Sequence, residues 1–194
     1  MKTFLIIIGV IFFLFVGSQI YFYASSHNIE GYKYVVTKSY KGFEVRKYEA
    51  SLFTSVKLDT DLYQKASSKG FSILGGYIFG KNEKKEQISM TSPVKMSLEE
   101  EMIVQFLVPK NFTKENLPKP DNASIEFIEI PEKKMAAITF SGWANDKKIE
   151  KYKLQLIALL DKYQIKYTNN FSLLGYNPPF ELFFRKNEII VELD

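Results

Sequence analysis

Few side chains in this sequence could carry out acid–base, nucleophilic or metal chemistry. His27 is the only histidine, and the chain has no cysteine. A Ser-His-Asp triad, a histidine or thiolate metal cluster and a cysteine nucleophile are therefore excluded. The run Glu99-Glu100-Glu101 has the character of a solvated turn between strands, and no carboxylate pair has a spacing that indicates acid and base roles. The sequence therefore predicts a protein that is not an enzyme and has no metal site of its own.

The segment from Gly75 to Lys81 has the spacing of a phosphate-binding loop, but its chemistry does not fit one. Asn82 stands where Ser or Thr should hold magnesium, and bulky Ile78 and Phe79 occupy positions where backbone amides must face phosphate. The segment also follows a predicted helix instead of a strand. These features argue against nucleotide binding.

Charge and aromatic content narrow the class of ligand. The chain has 26 basic and 22 acidic residues, a balance too weak for a nucleic-acid-binding domain, which is usually strongly basic. It also has 17 Phe and 12 Tyr, with Met90, Met96, Met102 and Met135 in or beside predicted strands. Aromatic and thioether side chains suit a flat apolar ligand, and they equally suit a plain hydrophobic core. Composition alone leaves both interpretations open.

The first residues form an apolar segment that could cross a membrane. Residues 3–24 carry no formal charge, which is long enough to span the bilayer core as a helix. We predict that residues 1–26 form one N-terminal transmembrane helix acting as a signal anchor, and that residues 27–33 form a linker. A cleavable signal peptide is the alternative. The domain, residues 34–194, would then be exported to the periplasmic or extracellular side, anchored by a single pass or secreted after cleavage.

Strand-like and helix-like patterns follow one another twice in the same order after the linker. Alternation of apolar and polar residues predicts the strands, and capping residues and an apolar stripe predict the helices. In the first half we predict strands over 43–46 and 52–58, a helix capped by Asp59-Thr60-Asp61 and ended by Gly75-Gly76, and strands over 88–96 and 102–108. In the second half we predict strands over 125–130 and 134–140, a helix from Asn145 to about Tyr163, and strands over 171–174, 182–185 and 188–192.

This repeat predicts an α+β domain with pseudo-twofold character. Hairpin spacing recurs and no βαβ alternation is present, so the sheet should be antiparallel. A ligand pocket would most naturally open at the mouth of the curved sheet or between a helix and the sheet edge.

Six short motifs in this chain stand in the order found in one known family. They are Phe43-Glu44-Val45-Arg46-Lys47-Tyr48, Gly70-Phe71, Tyr77-Ile78-Phe79-Gly80-Lys81-Asn82, Ile88-Ser89-Met90-Thr91-Ser92-Pro93-Val94, Gly175-Tyr176-Asn177-Pro178-Pro179 and Arg185-Lys186-Asn187-Glu188-Ile189. From about Tyr34 to Leu193 the chain resembles the SOUL heme-binding protein family. The resemblance implies a pseudo-twofold, distorted antiparallel β-barrel with two flanking helices. It also implies a tetrapyrrole held largely by apolar contact in a groove beside the first of those helices.

The resemblance also implies where such a ligand would lie. Lys47 occupies the position of the histidine proposed to ligate heme iron in the protein that names the family. The family's basic positions near the propionates fall on Ser68, Gly76 and Glu181, so Lys65 and Lys69 would have to substitute from neighbouring turns. The predicted heme-binding residues are Leu62, Lys65, Lys69, Ile73, Leu74, Tyr77 and Lys47.

These observations lead to a functional hypothesis with one alternative. The chain is expected to be a membrane-anchored, non-catalytic heme or porphyrin-binding protein that acts as a tetrapyrrole carrier, buffer or sensor. The alternative is a binding module for another amphipathic small molecule, without heme binding. The expected partners are heme or porphyrin and, through the N-terminal segment, a membrane, but no nucleic acid.

Overall fold

The fold is one nine-stranded antiparallel sheet with helices packed on it. A computed structural model describes residues 2–27, 29–60, 62–99, 101–178, 181–183 and 185–194. In chain order the elements are α1 (Lys2–His27), β1 (Tyr34–Tyr40), β2 (Phe43–Tyr48), β3 (Ser51–Leu58), α2 (Tyr63–Ile78), β4 (Val94–Ser97), β5 (Met102–Leu107), β6 (Ile125–Ile130), β7 (Lys133–Ser141), α3 (Asp146–Lys162), β8 (Tyr167–Gly175) and β9 (Lys186–Leu193).

The strand order carries the internal repeat. The strands lie in the order β1-β2-β7-β9-β8-β4-β5-β3-β6. Exchanging β2 with β6, β3 with β7, β4 with β8 and β5 with β9 reverses this order, apart from the additional edge strand β1. The two halves are thus related by a pseudo-twofold relation centred between β4 and β8. The expected barrel is corrected in one respect: β1 and β6 are free edges, so the sheet does not close.

Each face of the sheet buries its own hydrophobic cluster, because successive side chains of a strand point to opposite faces. The helix-covered face holds the larger cluster, which includes Val56, Val104 and Ile189. The opposite face holds a smaller, aromatic cluster that includes Tyr48 and Phe53. Both faces are therefore buried in the middle of the sheet.

Helix α2 lies unusually close to the sheet at Gly70. A Cβ built on Gly70 would lie only 2.5 Å from Val104 Cγ2 of β5, so a glycine is required there. The predicted bounds of this helix are wrong at both ends: it begins after Leu62 and continues through Gly75-Gly76 to Ile78. Gly80, with φ of +104°, follows the helix in the left-handed conformation that favours glycine, so the stop signal lies there.

Helix α3 confirms the predicted cap and part of the predicted apolar stripe of Ile149, Tyr152, Leu156, Leu159 and Tyr163, since Tyr163 is 38% exposed. The Asn145 side chain accepts a hydrogen bond from the Lys148 backbone N–H at 2.9 Å, which satisfies a free donor of the first turn. Ile149, Leu156 and Leu160 are buried against the sheet.

Two predicted strands are corrected. The segment 88–96 joins a strand only from Val94 onward, because Pro93 has no N–H to donate and Ser92 before it forms an isolated bridge with Gly31 instead of a ladder. The predicted strand over 182–185 is also wrong, because its described residues, 182, 183 and 185, do not form a strand. Arg185 instead donates to the carbonyls of Asn177, Pro178 and Glu181, which holds this segment as a loop.

Helix α1 is apolar on all sides and largely exposed to the surroundings. Its segment Lys2–Tyr21 is long and apolar enough to cross a membrane. A signal sequence would meet the same criterion, so both sequence-based alternatives for residues 1–26 are compatible with it.

Candidate functional site

A cavity of about 700 Å³ lies beside α2 and over the central strands β4 and β8. We call it the α2 cavity. Its volume falls within the range of about 300–1,000 Å³ that is usual for small-molecule and cofactor sites. Its wall combines one side of α2, strands β4 and β8, the residues before α3, and the loop between β8 and β9. Tyr21 of α1 and Ile29 also line it.

Helix α2 separates this cavity from the core. The helix buries Ala66, Gly70 and Leu74 on the sheet. The neighbouring side, at the three- and four-residue spacing of one helix face, lines the cavity with two aromatic residues, three serines and one glutamine. These residues are Tyr63, Gln64, Ser67, Ser68, Phe71 and Ser72. The serines leave room in the cavity and offer hydroxyl groups to a ligand.

The floor of the α2 cavity is formed by β4 and β8, the two strands between which the pseudo-twofold relation of the sheet is centred. Val94 pairs with Gly175, and Met96 pairs with Leu173, across β4 and β8. A Cβ built on Gly175 would meet no atom within 4 Å, so the missing side chain widens the cavity at this point. Met90, from the segment before β4, adds a flexible thioether to the wall.

Arg185 is the sole charged side chain among the described residues that line the α2 cavity. Its guanidinium carbon lies 4.0 Å from the centre of the Trp143 ring, and its terminal nitrogens donate to three backbone carbonyls at 2.7–3.1 Å. Its Nε is buried and has no hydrogen-bond partner among the described residues. Burial lowers the pKa of Arg185, and the nearby Tyr63 and Glu181 oppose this effect. The cavity therefore presents one positive charge beside apolar walls.

Tyr176 connects the cavity to a buried ion pair on the opposite face of the sheet. Tyr176 borders the cavity, its side chain packs against the smaller cluster of the opposite face, and its hydroxyl donates to Glu188 Oε2 at 2.6 Å. Arg46 donates to both carboxylate oxygens of Glu188, at 2.8 and 3.1 Å, and Thr139 donates to Oε1 at 3.1 Å. Glu188 is fully buried. Bidentate geometry of this kind is the strong form of a charged hydrogen bond.

The protonation states in this network follow from the pairing. Burial alone would raise the pKa of Glu188, but the hydrogen bond and charge of Arg46, together with Lys186 and Tyr176, bring that pKa below its ordinary value. Burial raises the pKa of Tyr176, and the negative charge of Glu188 adds to the effect. Tyr176 is therefore a neutral donor, and its phenolate is disfavoured.

None of the seven predicted heme-binding residues lines the α2 cavity, and their placement as a ligand site stays a prediction. Leu74 and Tyr77 are buried in the core, and Ile73 packs against that core. Leu62 is exposed just before α2, and Lys65 and Lys69 are exposed on this helix. Lys47 lies apart from α2, on β2, where it forms an exposed ion pair with Glu132 at 2.7 Å. The structure thus brings together only the six residues on or next to α2.

The residues that do line the cavity carried weak sequence signals. The four- and three-residue spacing of Gln64, Ser67, Ser68, Phe71 and Ser72 is readable as a second helix face, but serine and glutamine are ordinary surface residues. Ser68 is also one of the three positions where the family resemblance implies a basic residue. Trp143, the only tryptophan, and Arg185 reach the cavity through loops, which periodicity does not predict.

The arrangement can bind, but its described wall offers little for catalysis. Aromatic rings, aliphatic chains and thioethers suit a large flat apolar molecule, and the single cation suits a negatively charged group at its edge. Hydroxyl and amide groups on α2 can accept or donate hydrogen bonds. An amphipathic anion with an extended apolar body fits this set.

Comparison with known proteins identifies relatives of the domain that contains this cavity. Residues 29–192 match the SOUL heme-binding protein family. Heme-binding protein 2 of Mus musculus is 27% identical over 155 residues, which cover 76% of this chain and 76% of that protein. Heme-binding protein 1 of Xenopus laevis is 24% identical over 155 residues, covering 76% and 81% respectively. The resemblance that the six motifs predict is confirmed.

Solved structures share the fold at much lower identity. The crystal structure of the EcmrR C-terminal domain superimposes with a TM-score of 0.60 at 13% identity and covers 78% of this chain and 96% of that domain. The crystal structure of a hydrolase from Listeria innocua gives a TM-score of 0.54 at 10% identity, covering 81% and 94%. Both are similar to this chain in fold alone.

Proposed function

We propose, from the premise that the chain belongs to the SOUL heme-binding protein family, that its α2 cavity binds heme or a related porphyrin. The protein would act without catalysis, as a tetrapyrrole carrier, buffer or sensor. The observation that carries the proposal is the cavity of about 700 Å³ with apolar walls and one cationic side chain, Arg185. A porphyrin is a flat apolar macrocycle with carboxylates at one edge, so its two chemical parts match the two parts of this wall.

The residues of the wall have separate roles in this proposal. Phe71, Tyr63 and Met90 would contact the macrocycle, since aromatic and thioether groups adapt to a flat apolar surface. Arg185 would pair with a propionate, because its buried Nε is a donor without a partner among the described residues. Tyr176 would border the bound ligand while its hydroxyl stays bonded to Glu188.

The iron of a bound heme would have few protein ligands to choose from in this cavity. When bound, heme supplies an iron centre and an intense visible absorption. Apart from Tyr176, whose hydroxyl is bonded to Glu188, the wall side chains of a type that ligates heme iron are the thioethers of Met90 and Met96 and the phenols of Tyr21 and Tyr63. Affinity should therefore come mainly from contact with the macrocycle, so porphyrin without iron should bind nearly as well as hemin.

The N-terminal helix would hold the domain at a membrane. The uninterrupted apolar segment Lys2–Tyr21 supports an uncleaved signal anchor with the domain on the exported side. Secretion after signal cleavage is the alternative. A carrier or buffer at a membrane surface would hold a poorly soluble tetrapyrrole close to the phase in which it dissolves.

A second function is favoured by one feature of the same wall. Gln64, Ser67, Ser68 and Ser72 offer hydrogen-bonding groups that the face of a porphyrin does not use. They favour a smaller amphipathic anion with polar groups along its body. In that case the domain would be a binding module for such a molecule and would not bind heme.

Titration of the purified full chain in detergent micelles with hemin and with metal-free protoporphyrin tests the proposal. We expect saturable binding of both, with affinities that agree within about threefold if iron ligation contributes little. A Soret shift seen only with hemin and lost in Lys47→Ala would instead assign Lys47 an axial role. Absence of binding to either compound would contradict the proposal and favour the second function.

A further inference from the structure

The region beside the α2 cavity carries an exposed apolar surface that the binding of a ligand does not explain. Trp143, Leu182 and Phe183 are 51%, 43% and 52% exposed. We call these three residues the apolar lip. Trp143 lines the cavity, and Leu182 and Phe183 belong to the loop that leads to Arg185. Large apolar side chains grouped in this way usually mark an interaction surface.

The apolar lip contacts the candidate membrane segment directly. The ring of Phe183 lies 6.4 Å from the ring of Phe15 in an edge-on arrangement. The backbone N–H of Leu182 donates to Gln19 Oε1 at 3.1 Å. Both contacts fall within Lys2–Tyr21, so the loop is continuous with the surface that a bilayer would surround.

The position of these contacts along α1 determines how deep the apolar lip would lie in a bilayer that α1 spans. Phe15 lies six positions before Tyr21, which corresponds to about 9 Å along a helix. A segment of twenty residues is about 30 Å long and matches the hydrocarbon core. The ring of Phe183 would therefore lie below the level of Tyr21. Amphipathic elements that rest on membranes bury their apolar face about 5–10 Å at the same boundary.

The chemistry of the lip fits the interface of a bilayer better than it fits a protein partner. Tryptophan prefers the headgroup level, where one part of its ring is apolar and its N–H stays near water. Arg185 stacks on the ring of Trp143 and could also meet lipid phosphate. Tyr21, beside them, lines the same cavity and is a second interfacial aromatic residue.

We propose that the apolar lip is embedded in the interface of the bilayer that holds α1, and that the α2 cavity therefore exchanges amphipathic ligands with the lipid phase. This inference rests on the proposed function, both for the membrane anchor and for the ligand. It adds a route: the ligand would enter along the lip and leave the same way, without first dissolving in water.

Trp143 provides a direct test because it is the only tryptophan of the chain. The full chain would be reconstituted in vesicles of phosphatidylcholine and phosphatidylglycerol, with bromine atoms either near the top or near the end of the acyl chains. We expect bromines near the top to quench Trp143 about twofold more strongly than bromines near the end. In the variant Trp143→Phe/Phe183→Trp, the reporter at position 183 should be quenched at least as strongly.

A matched reporter on α3 controls for collisions of the domain with vesicles. Leu154 is 55% exposed, and no described contact links it to α1. In Trp143→Phe/Leu154→Trp we expect no quenching by either lipid. If the protein floats with the vesicles while Trp143 is quenched no more than this reporter, the inference is wrong and the anchor stands. If the protein does not float, the anchor and the inference both fail, whereas ligand binding in micelles remains a separate result.

The exchange route has its own measurement. Hemin would be loaded into the vesicle lipid, and its transfer to the protein would be followed by absorption. We expect Leu182→Asp/Phe183→Asp to slow transfer about tenfold, because carboxylates are expelled from the interface, with unchanged affinity for hemin in micelles. Equal transfer rates in this variant and in the unmodified chain would overturn the route, even if Trp143 is quenched by lipid.

Discussion

The two faces of the sheet differ in the partners that they offer to a buried arginine. On the face away from the helices, Arg46 is paired with both oxygens of Glu188, and the pair is completed by Tyr176 and Thr139. Beside the cavity on the helix-covered face, Arg185 donates mainly to neutral carbonyls and has one buried donor without a described partner. The comparison suggests that a fully paired charge supports the fold and a partly matched one is available to a ligand.

The largest effect should come from breaking the paired face. Arg46→Met removes the bidentate partner of a fully buried carboxylate and leaves only the half-exposed Lys186 as its cation among the described residues, so we expect the free energy of unfolding to fall by about 3–5 kcal/mol in urea titrations of the detergent-solubilised chain. Lys47→Met is the matched control, because it breaks an exposed ion pair with Glu132 on the same strand. That variant should lose at most about 0.5 kcal/mol. Similar losses in both variants would contradict the assigned difference.

The dependence of the free energy of unfolding on pH in the acid range should also change in Arg46→Met. The pKa of Glu188 in the folded state lies below its ordinary value of 4.5, so its contribution is present above that value and is lost as the pH falls through the folded-state pKa. We expect unfolding curves of the unmodified chain to weaken in this acid range and those of Arg46→Met to depend less on pH. An identical dependence in both proteins would contradict the pairing.

Lys95 is an intermediate case on the paired face. Burial, aided by the charge of Lys133, lowers its pKa to about 8. Because the unfolded chain holds this proton more tightly, Lys95→Met should raise the free energy of unfolding at pH 7 by about 1–3 kcal/mol. The gain should shrink as the pH rises from 8 toward 10.5. Lys57→Met, at an exposed position of β3, is the control and should change the free energy of unfolding little at any pH. A gain for Lys95→Met that does not depend on pH would contradict the lowered pKa of Lys95.

The smallest predicted effect concerns the partly matched cation. Arg185→Gln should weaken hemin binding about five- to tenfold, because a buried charge-assisted hydrogen bond is lost. The affinity for hemin dimethyl ester, which has no carboxylates, should stay within about twofold of the unmodified chain. Lys69→Gln is the control and should bind both compounds normally. Equal weakening for hemin and its ester would show that Arg185 acts by holding the loop rather than by pairing with the ligand.

The sequence predicts the regular parts of this molecule well and the irregular ones poorly. Alternation and helical periodicity predict both domain helices and most of the strands, because these signals are local, but the predicted cap is right only at Asn145 of α3 and no pattern predicts β1. Closure of the sheet is a long-range property, and no residue pattern fixes the free edges β1 and β6. The segment 182–185 has the composition of a strand, but Arg185 draws nearby carbonyls into a loop.

The candidate site, like the fold, could be predicted only in part. The family resemblance implies a ligand beside the first helix of the domain, and a cavity does lie there. The choice of side depends on apolar residues, and Leu74 and Tyr77 are apolar because they face the sheet. The cavity side carries Ser68 and Ser72, whose small size leaves space. A cavity forms where side chains are too small to fill the space between elements, and the pattern of apolar residues does not predict such a place.

One matched pair of variants tests the central claim that the α2 cavity is the tetrapyrrole site. Ser68→Trp would fill the cavity from α2, whereas Lys69→Trp places the same side chain on the neighbouring exposed position. Affinity for protoporphyrin would be measured by fluorescence titration, with melting temperatures checked for both. We expect Ser68→Trp to weaken binding at least about tenfold and Lys69→Trp to leave it within about twofold. Normal binding by a folded Ser68→Trp variant, or loss in Lys69→Trp instead, would contradict the account.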